Sequence, residues 1–378
     1  MELRFTKEQE ELQRAVRHFA ETEVAQAVPG MERSDEFPSA LVNRMGQLGF
    51  MGIPIPKQWG GAGGDFISYI IAINELSKVS AAAGVILSVH TSVGTFPIWY
   101  YGTDVQRDKY VRRLASGEWL GAFALTEPHA GSDAASIRTS AERRGDHYIL
   151  NGAKVFITNA GAAQVYITFA VTDPDKGAGG ITAFIIESGN EGLHIGKKEK
   201  KMGLHGSNTC ELIFEQMKVP AARRLGGEGE GFAIAKASLD GGRIGIGAQA
   251  LGIAQAALRL LEGRFMKDSG GKRKGKLPPY YVQLAELAAK AEAARLLVYR
   301  AAYLRQEGRS CTKESSMAKM FASDTAVEAA GAAVRLLGTQ GWIREQPAER
   351  MFRDAKVTQI YEGTNEIHRI VISGQLFK

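Results

Sequence analysis

The hydrophobic pattern changes period twice along the chain, and this double switch constrains the fold more than any single motif. Before about Gly117 the apolar residues recur at three and four. Leu12, Val16 and Phe19 share one face behind Thr6, which with Gln9 three residues on reads as a capped helix start. Leu41, Met45 and Leu48 form a second stripe, and beyond the glycine-rich connector 60–64 the stretches 67–79 and 81–92 read as buried helices. From Glu118 to about Pro220 the period is two. Tyr148, Leu150, Val155 and Ile157 flank Asn151-Gly152, a dipeptide that predicts a tight hairpin, and Val165, Ile167, Phe169 and Val171 alternate as a strand. Residues 181–187 and 210–214 add further strands. After the glycines of 226–231 helical spacing returns, over 252–261, 282–306, 315–337 and 348–359, with Gly338 placed to end the third of these. The pattern predicts a mainly α chain with a central β domain. Its parts are an N-terminal helical domain (1–117), a small β-barrel or sandwich (118–225) and a C-terminal four-helix bundle (226–378).

Composition narrows the function classes. With 378 residues, 44% hydrophobic and 23% charged, the chain can bury a large core and is neither disordered nor fibrous. Its two cysteines, Cys210 and Cys311, are too few for a disulfide framework and fit a reducing compartment, the cytoplasm or a mitochondrial matrix after removal of a transit peptide. Residues 1–11 are charged and helix-like without an apolar leader, and the apolar stretches near Gly84 and Gly245 are broken by His90, Arg243 and Gln249, so no membrane span is expected. The net charge of +6 is spread out, with lysine clusters at 197–201 and 272–276 that read as solvated turns. No basic stripe interleaved with aromatics points to nucleic acid, while a weak positive field suits a polyanionic small molecule.

Several catalytic signatures are missing. The seven histidines form no His-Glu-x-x-His run and the cysteines no Cys-x-x-Cys pair, so no metal is expected, and the Gly-x-Ser-x-Gly elbow of serine hydrolases is absent. Gly245-Ile246-Gly247-Ala248-Gln249-Ala250 fits a loose dinucleotide fingerprint. That fingerprint requires a preceding strand, whereas residues 232–239 look helical, so the small residues are expected to mark close helix packing.

Three segments are more specific together than apart: Leu125-Thr126-Glu127-Pro128-His129-Ala130-Gly131-Ser132-Asp133, Phe156-Ile157-Thr158-Asn159 and Tyr361-Glu362-Gly363-Thr364-Asn365-Glu366-Ile367. With Met202-Gly203-Leu204-His205-Gly206-Ser207, Leu239-Asp240-Gly241-Gly242-Arg243-Ile244 and Arg350-Met351-Phe352-Arg353-Asp354-Ala355-Lys356, they make the chain resemble the acyl-CoA dehydrogenase family over its whole length. The stretch 240–252 looks most like the short-chain or butyryl branch. The resemblance implies FAD-dependent α,β-dehydrogenation of a short or medium acyl-CoA thioester to the 2-enoyl-CoA. It also implies electron delivery to an electron-transferring flavoprotein and a homotetramer. A reductase or redox-neutral lyase on the same fold, or a non-enzymatic CoA-ester scaffold, are the alternatives.

In that family the glutamate of the Tyr-Glu-Gly-Thr motif is the catalytic base, which the resemblance assigns to Glu362. Its own context agrees: a carboxylate before Gly363, followed by Thr364 and Asn365 as candidate caps, lies on a turn between helices and can project into a cleft. A thioester α-hydrogen is a very weak acid, so its removal needs a carboxylate in a dry pocket, where burial raises the pKa toward working pH. By resemblance, the Glu362 N–H and a flavin ribityl hydroxyl hold the thioester oxygen while the β-hydrogen leaves as hydride to the flavin.

The remaining implied contacts follow the motifs. Leu125 and Thr126 border the isoalloxazine, Ser132 reaches the pyrophosphate or pantetheine, Phe156, Ile157 and Thr158 cover the ring, Thr364, Asn365 and Glu366 meet the adenosine side, and Phe123 and Gly131 are further cofactor contacts. CoA is gripped by Ser132, Thr172, the Asp240 to Arg243 turn and Gly363, and Thr91, Ser92, Phe96 and Trp99 are candidates for the acyl pocket. Two departures stand out. The family's Arg-x-x-Phe-Gly-Lys-Pro loop is replaced over 264–276, which contains Gly270-Gly271-Lys272, and its Gln-x-x-Gly-Gly reads Arg335-Leu336-Leu337-Gly338-Thr339. Both belong to the inter-subunit side of FAD, which makes Arg335 and Gly338 candidate cofactor contacts.

Overall fold

The computed structural model describes residues 4–268, 280–344 and 346–377. Gly270-Gly271-Lys272 and the 272–276 lysines lie outside them. The first third is helical: α1 (Lys7–Phe19), α2 (Ala25–Ser34), α3 (Ser39–Gln47), α4 (Phe66–Ser77), α5 (Ala81–Val89), α6 (Phe96–Tyr101) and the short α7 (Asp104–Gln106) and α8 (Arg112–Ala115). The starts are set by side-chain caps. Thr6 and Gln9 form the expected capping box, while Asp65 accepts from the Ser68 N–H at 2.7 Å and Ser80 from Ala83. Leu41 and Met45 are buried on α3, but Leu48 falls just past its end and is exposed.

The middle of the chain supplies β1 (Gly121–Ala124), β2 (Ser140–Arg144), β3 (His147–Thr158), β4 (Val165–Val171), β5 (Ile181–Glu187), β6 (Leu193–Lys198), β7 (Thr209–Pro220) and β8 (Arg224–Leu225). They form one sheet in the order β6-β7-β3-β2-β4-β5-β8, with β1 added in parallel to β4. Asn151-Gly152 is not a hairpin. β3 runs straight through it, with a bulge where the pairing to β7 slips between Leu150 and Gly152, and the hairpin lies earlier, where Arg144 pairs with His147 across Gly145-Asp146. The positive φ that suggested a turn is used by Gly152 to accommodate the bulge.

Helices return as α9 (Gly231–Asp268), α10 (Tyr280–Gln306), α11 (Thr312–Leu336), α12 (Pro347–Val357) and α13 (Asn365–Leu376), and Gly338, at positive φ, follows the end of α11. The helix expected over 252–261 is the second half of α9, which begins twenty-one residues earlier. Consequently Asp240 to Arg243 is a helix interior and not a turn. α9 packs against α4, α5, α10 and α11. The fingerprint glycines serve that packing: a Cβ on Gly245 would lie 2.3 Å from the Ser88 Oγ. Two helical stretches, 81–101 and 231–266, are long and apolar enough to cross a membrane, but they are buried in this core.

Candidate active site

A cleft of about 890 Å³ opens where the sheet meets α9 and the turn between α12 and α13. The sequence positions the β3 side of the cleft through a local fault in that strand. Pairing with β7 slips between Lys154 and Ile157, which leaves Phe156 in a left-handed conformation (φ 58°), 63% exposed and lining the cleft. Thr158 and the buried Ile157 continue the same wall.

The loop after β1 is held by a buried ion pair. Lys154, fully buried, donates to the Glu127 carboxylate at 2.8 Å and to the Leu125 carbonyl at 3.1 Å. Glu127 also accepts from the N–H groups of Arg138 and Thr139 at 2.6 and 2.9 Å. Burial pulls Lys154 down to about 8 and pushes Glu127 up, but the ammonium and the two amides outweigh the latter and hold Glu127 below the usual carboxylate range. This pair fixes the strip on which Phe123, Leu125, Thr126, Gly131 and Ser132 line the cleft.

Glu362 sits on the α12–α13 turn at φ 53°, a left-handed conformation that is uncommon outside glycine. Its Oε2 is sealed from solvent without a hydrogen-bond partner, and its N–H donates to no backbone carbonyl among the described residues. Burial raises the carboxyl to about 7, against the opposing pull of Arg243 and Lys319. Space for the carboxylate exists only because α9 carries glycine opposite: a Cβ on Gly242 would stand 2.3 Å from the Glu362 Oε2. Arg243, 12% exposed in its side chain, donates to Asp240 at 3.0 Å and leaves its Nε without a partner. Gly363 and Thr364 also face the cleft, and the Thr364 Oγ1 caps α13 by accepting from Ile367.

Other expected contacts lie elsewhere in this chain. Thr172 is bonded to Thr182 and the Gly180 carbonyl, away from the cleft, and Asp240 turns toward α11, where it accepts from Thr312 and Ser315. Asn365 is buried against α11 and Glu366 is exposed on the first turn of α13. Arg335 and Gly338 are exposed around the end of α11. In place of Thr91, Ser92, Phe96 and Trp99, the apolar wall beside α9 consists of Val85 and Val89 of α5 and Val93 of the helical segment His90–Thr95 that follows it, while Thr91, Ser92 and Phe96 are buried. The 197–201 lysines are not all solvated either: Lys200 and Lys201 line the cleft and Lys201 donates to the Ser207 carbonyl.

Sequence reasoning missed the residues beneath the wall. Lys154 continues the inward phase of Tyr148 and Leu150 along β3, and Lys319 lies on the same buried stripe as Ser315, Ala318, Ala322 and Ser323. A cation on an otherwise small or apolar inward face was the available signal. Among the described residues, no three His, Cys, Asp or Glu side chains gather as a metal site.

The chain is similar to known proteins over its whole length. Residues 6–118, 122–217 and 229–377 match the acyl-CoA dehydrogenase N-terminal, middle and C-terminal domains in turn. An acyl-CoA dehydrogenase of Bacillus subtilis is 56% identical over 372 residues, 98% of each chain. The butyryl-CoA dehydrogenase structure from Megasphaera elsdenii superposes with a TM-score of 0.94 at 43% identity, and a chain from structural work on the electron transferring flavoprotein of Acidaminococcus fermentans with 0.96 at 45%; both cover the full length of each chain. The three matched domains and the full-length identity establish that this chain belongs to the acyl-CoA dehydrogenase family.

Proposed function

We propose that the chain oxidises a short or medium acyl-CoA thioester to the 2-enoyl-CoA, with Glu362 as base, and passes the electrons to an electron-transferring flavoprotein. The observation that carries the assignment is the unpartnered carboxylate of Glu362, enclosed by α9 and its own turn and held near neutrality at the edge of the cleft. A base with that pKa is about half ionised at pH 7 and combines availability with proton affinity.

Acyl-CoA dehydrogenases are FAD enzymes, and the bound flavin supplies the acceptor for the β-hydrogen and its electron pair. The cleft fits such a group. Phe156 offers an aromatic face held out by the β3 bulge, and six cationic side chains, Lys200, Lys201, Lys236, Arg243, Arg353 and Lys356, stand against four carboxylates on its walls, a balance suited to phosphate-bearing ligands. On this reading Phe123, Leu125, Thr126, Gly131, Ser132, Phe156, Ile157, Thr158 and Thr364 hold FAD, while Ser132, Arg243 and Gly363 hold the thioester. The α-carbon C–H bond breaks and its proton moves to the Glu362 carboxylate. The Glu362 N–H, which donates to no backbone carbonyl among the described residues, is available to the thioester oxygen as negative charge develops there. Val85, Val89 and Val93 exclude water from the acyl chain.

The reductase alternative is not favoured, since the relatives 56% and 48% identical are acyl-CoA dehydrogenases, against 45% for an acryloyl-CoA reductase of Anaerotignum propionicum. Arg335 and Gly338 serve FAD only across a subunit boundary, so their assignment goes with the homotetramer. Exposed Trp342, Ile370 and Phe377 supply apolar surface for such an assembly, and the unpaired Cys210 and Cys311 suit a cytoplasm-like compartment. The test is anaerobic mixing of the purified flavoprotein with a panel of acyl-CoA thioesters. Bleaching of the flavin by short straight-chain members is expected, and an oxidised flavin that none of them bleaches overturns the proposal.

A further inference from the structure

The turn that carries Glu362 is pinned from below by one fully buried cation. The Lys319 Nζ donates to the Gly363 carbonyl at 2.6 Å and to the Asn365 Oδ1 at 3.0 Å. Asn365 in turn donates to Ser323 at 2.9 Å and to Asp324 at 2.8 Å, and Asp324 also accepts from Gln359 at 2.6 Å. The whole segment 359–365 is thereby tied to α11. Burying an ammonium costs several times what an apolar side chain does, and nothing in the packing of α11, otherwise lined with alanine and serine here, requires a long side chain.

The charges around Glu362 can be enumerated. Arg243 of α9 and Lys319 of α11 act on it directly, Tyr69 of α4 and Tyr361 of its own turn, with Asp354 of α12 behind it, feel its charge, and His368 of α13 lies against its backbone, while Asp324 of α11 and Glu366 of α13 act on Lys319. His368 is buried with both ring nitrogens lacking hydrogen-bond partners, and burial together with Lys319 and Arg243 pushes it down to about 3, so it stays neutral. Arg243 is engaged by Asp240. Burial pulls Lys319 down to about 7, so it carries its charge on the acidic side of neutrality, and of the two cations it alone has neutral oxygens as hydrogen-bond partners, a carbonyl and an amide, which leaves that charge to act on Glu362.

We infer that Lys319 is the positioning residue of the base: its ammonium holds the Gly363 carbonyl, fixes the left-handed turn that presents Glu362, and supplies positive charge that favours the ionised carboxylate against the effect of burial. The role rests on Glu362 being the base, and it extends that assignment to the helix beneath the turn. Lys319 touches no reacting atom; it acts through Glu362.

The test compares Lys319→Met and Lys319→Arg with the wild-type holoenzyme. Removal of the cation is expected to shift the acidic limb of the flavin-reduction rate upward by about one pH unit, which slows reduction about tenfold on that limb. The infrared titration of the Glu362 carboxyl, identified as the protonated band that Glu362→Gln abolishes, shifts by the same amount without any turnover. Lys319→Arg keeps the limb and the infrared midpoint in place while lowering the plateau. If Lys319→Met does not fold, Asn365→Asp carries the test, since a carboxylate set on the ammonium is expected to raise the Glu362 midpoint in the same direction. A Met variant that loses rate by one factor at every pH with an unmoved infrared midpoint overturns the inference, as does an Asp variant with an unmoved midpoint. Either failure leaves the bleaching of the wild type by acyl-CoA and its loss in Glu362→Gln untouched.

Discussion

Gly242 is expected to separate stability from activity. A Cβ built there stands 2.3 Å from Oε2 and 2.9 Å from Cδ of Glu362, whereas ordinary contacts begin near 3.4 Å. In Gly242→Ala something must therefore move by about 1 Å, and the cheapest mover is the far end of the Glu362 side chain, not the backbone of α9. A displacement of that size at a reacting group costs on the order of 100-fold in rate, or about 2.7 kcal/mol of barrier. The helix gains at the same time, because alanine in a helix interior is favoured over glycine by about 1 kcal/mol. The variant should thus bind FAD, melt at or slightly above the wild-type temperature, and reduce its flavin about 100-fold more slowly with butyryl-CoA in anaerobic stopped flow. Wild-type reduction rates in a folded Gly242→Ala protein would refute the claim that this glycine makes room for the carboxylate.

Two other perturbations follow from the buried charges. A carboxyl raised from its ordinary 4.5 to about 7 binds its proton more tightly folded than unfolded, so its stabilisation is present below pH 4.5 and lost as pH rises through 7. Glu362→Gln should therefore be the more stable protein at pH 8, by on the order of 3 kcal/mol in denaturant melts, with little difference at pH 4.5; equal stabilities at both pH values contradict a raised pKa. Lys154→Met leaves Glu127 buried without its cation. It should lose about 3–5 kcal/mol of stability and release FAD more readily, read by melting and by flavin absorbance after gel filtration, and a change under about 1 kcal/mol shows that the pair does not hold the loop.

The helix, sheet and helix succession was legible because periods of 3.6 and 2 come directly from which faces are buried, and Thr6, Thr364 and Gly338 mark termini by local chemistry. The turn bearing Glu362 was legible for the same local reason. The bulges of β3 were not, since Gly152 at positive φ serves a hairpin and a bulge equally well until the partner strand is known. Likewise, Asp240 to Arg243 looked like a turn because Gly241-Gly242 weakens helix propensity. In the fold those glycines are kept helical by packing, and at Gly242 the missing Cβ is what admits the base. Lys154 and Lys319 escaped notice because a lysine's default is solvent, and only tertiary contacts with Glu127 and with the 363–365 turn account for their burial.

Incubating butyryl-CoA anaerobically in heavy water with the wild type and with Glu362→Gln, and following deuterium at the α-carbon by mass spectrometry, reads the proposed proton transfer at its own atoms. Label should enter the α-position with the wild type above pH 7 and stay absent with the FAD-loaded Gln variant. Exchange by that variant at the wild-type rate would mean that another group takes the proton.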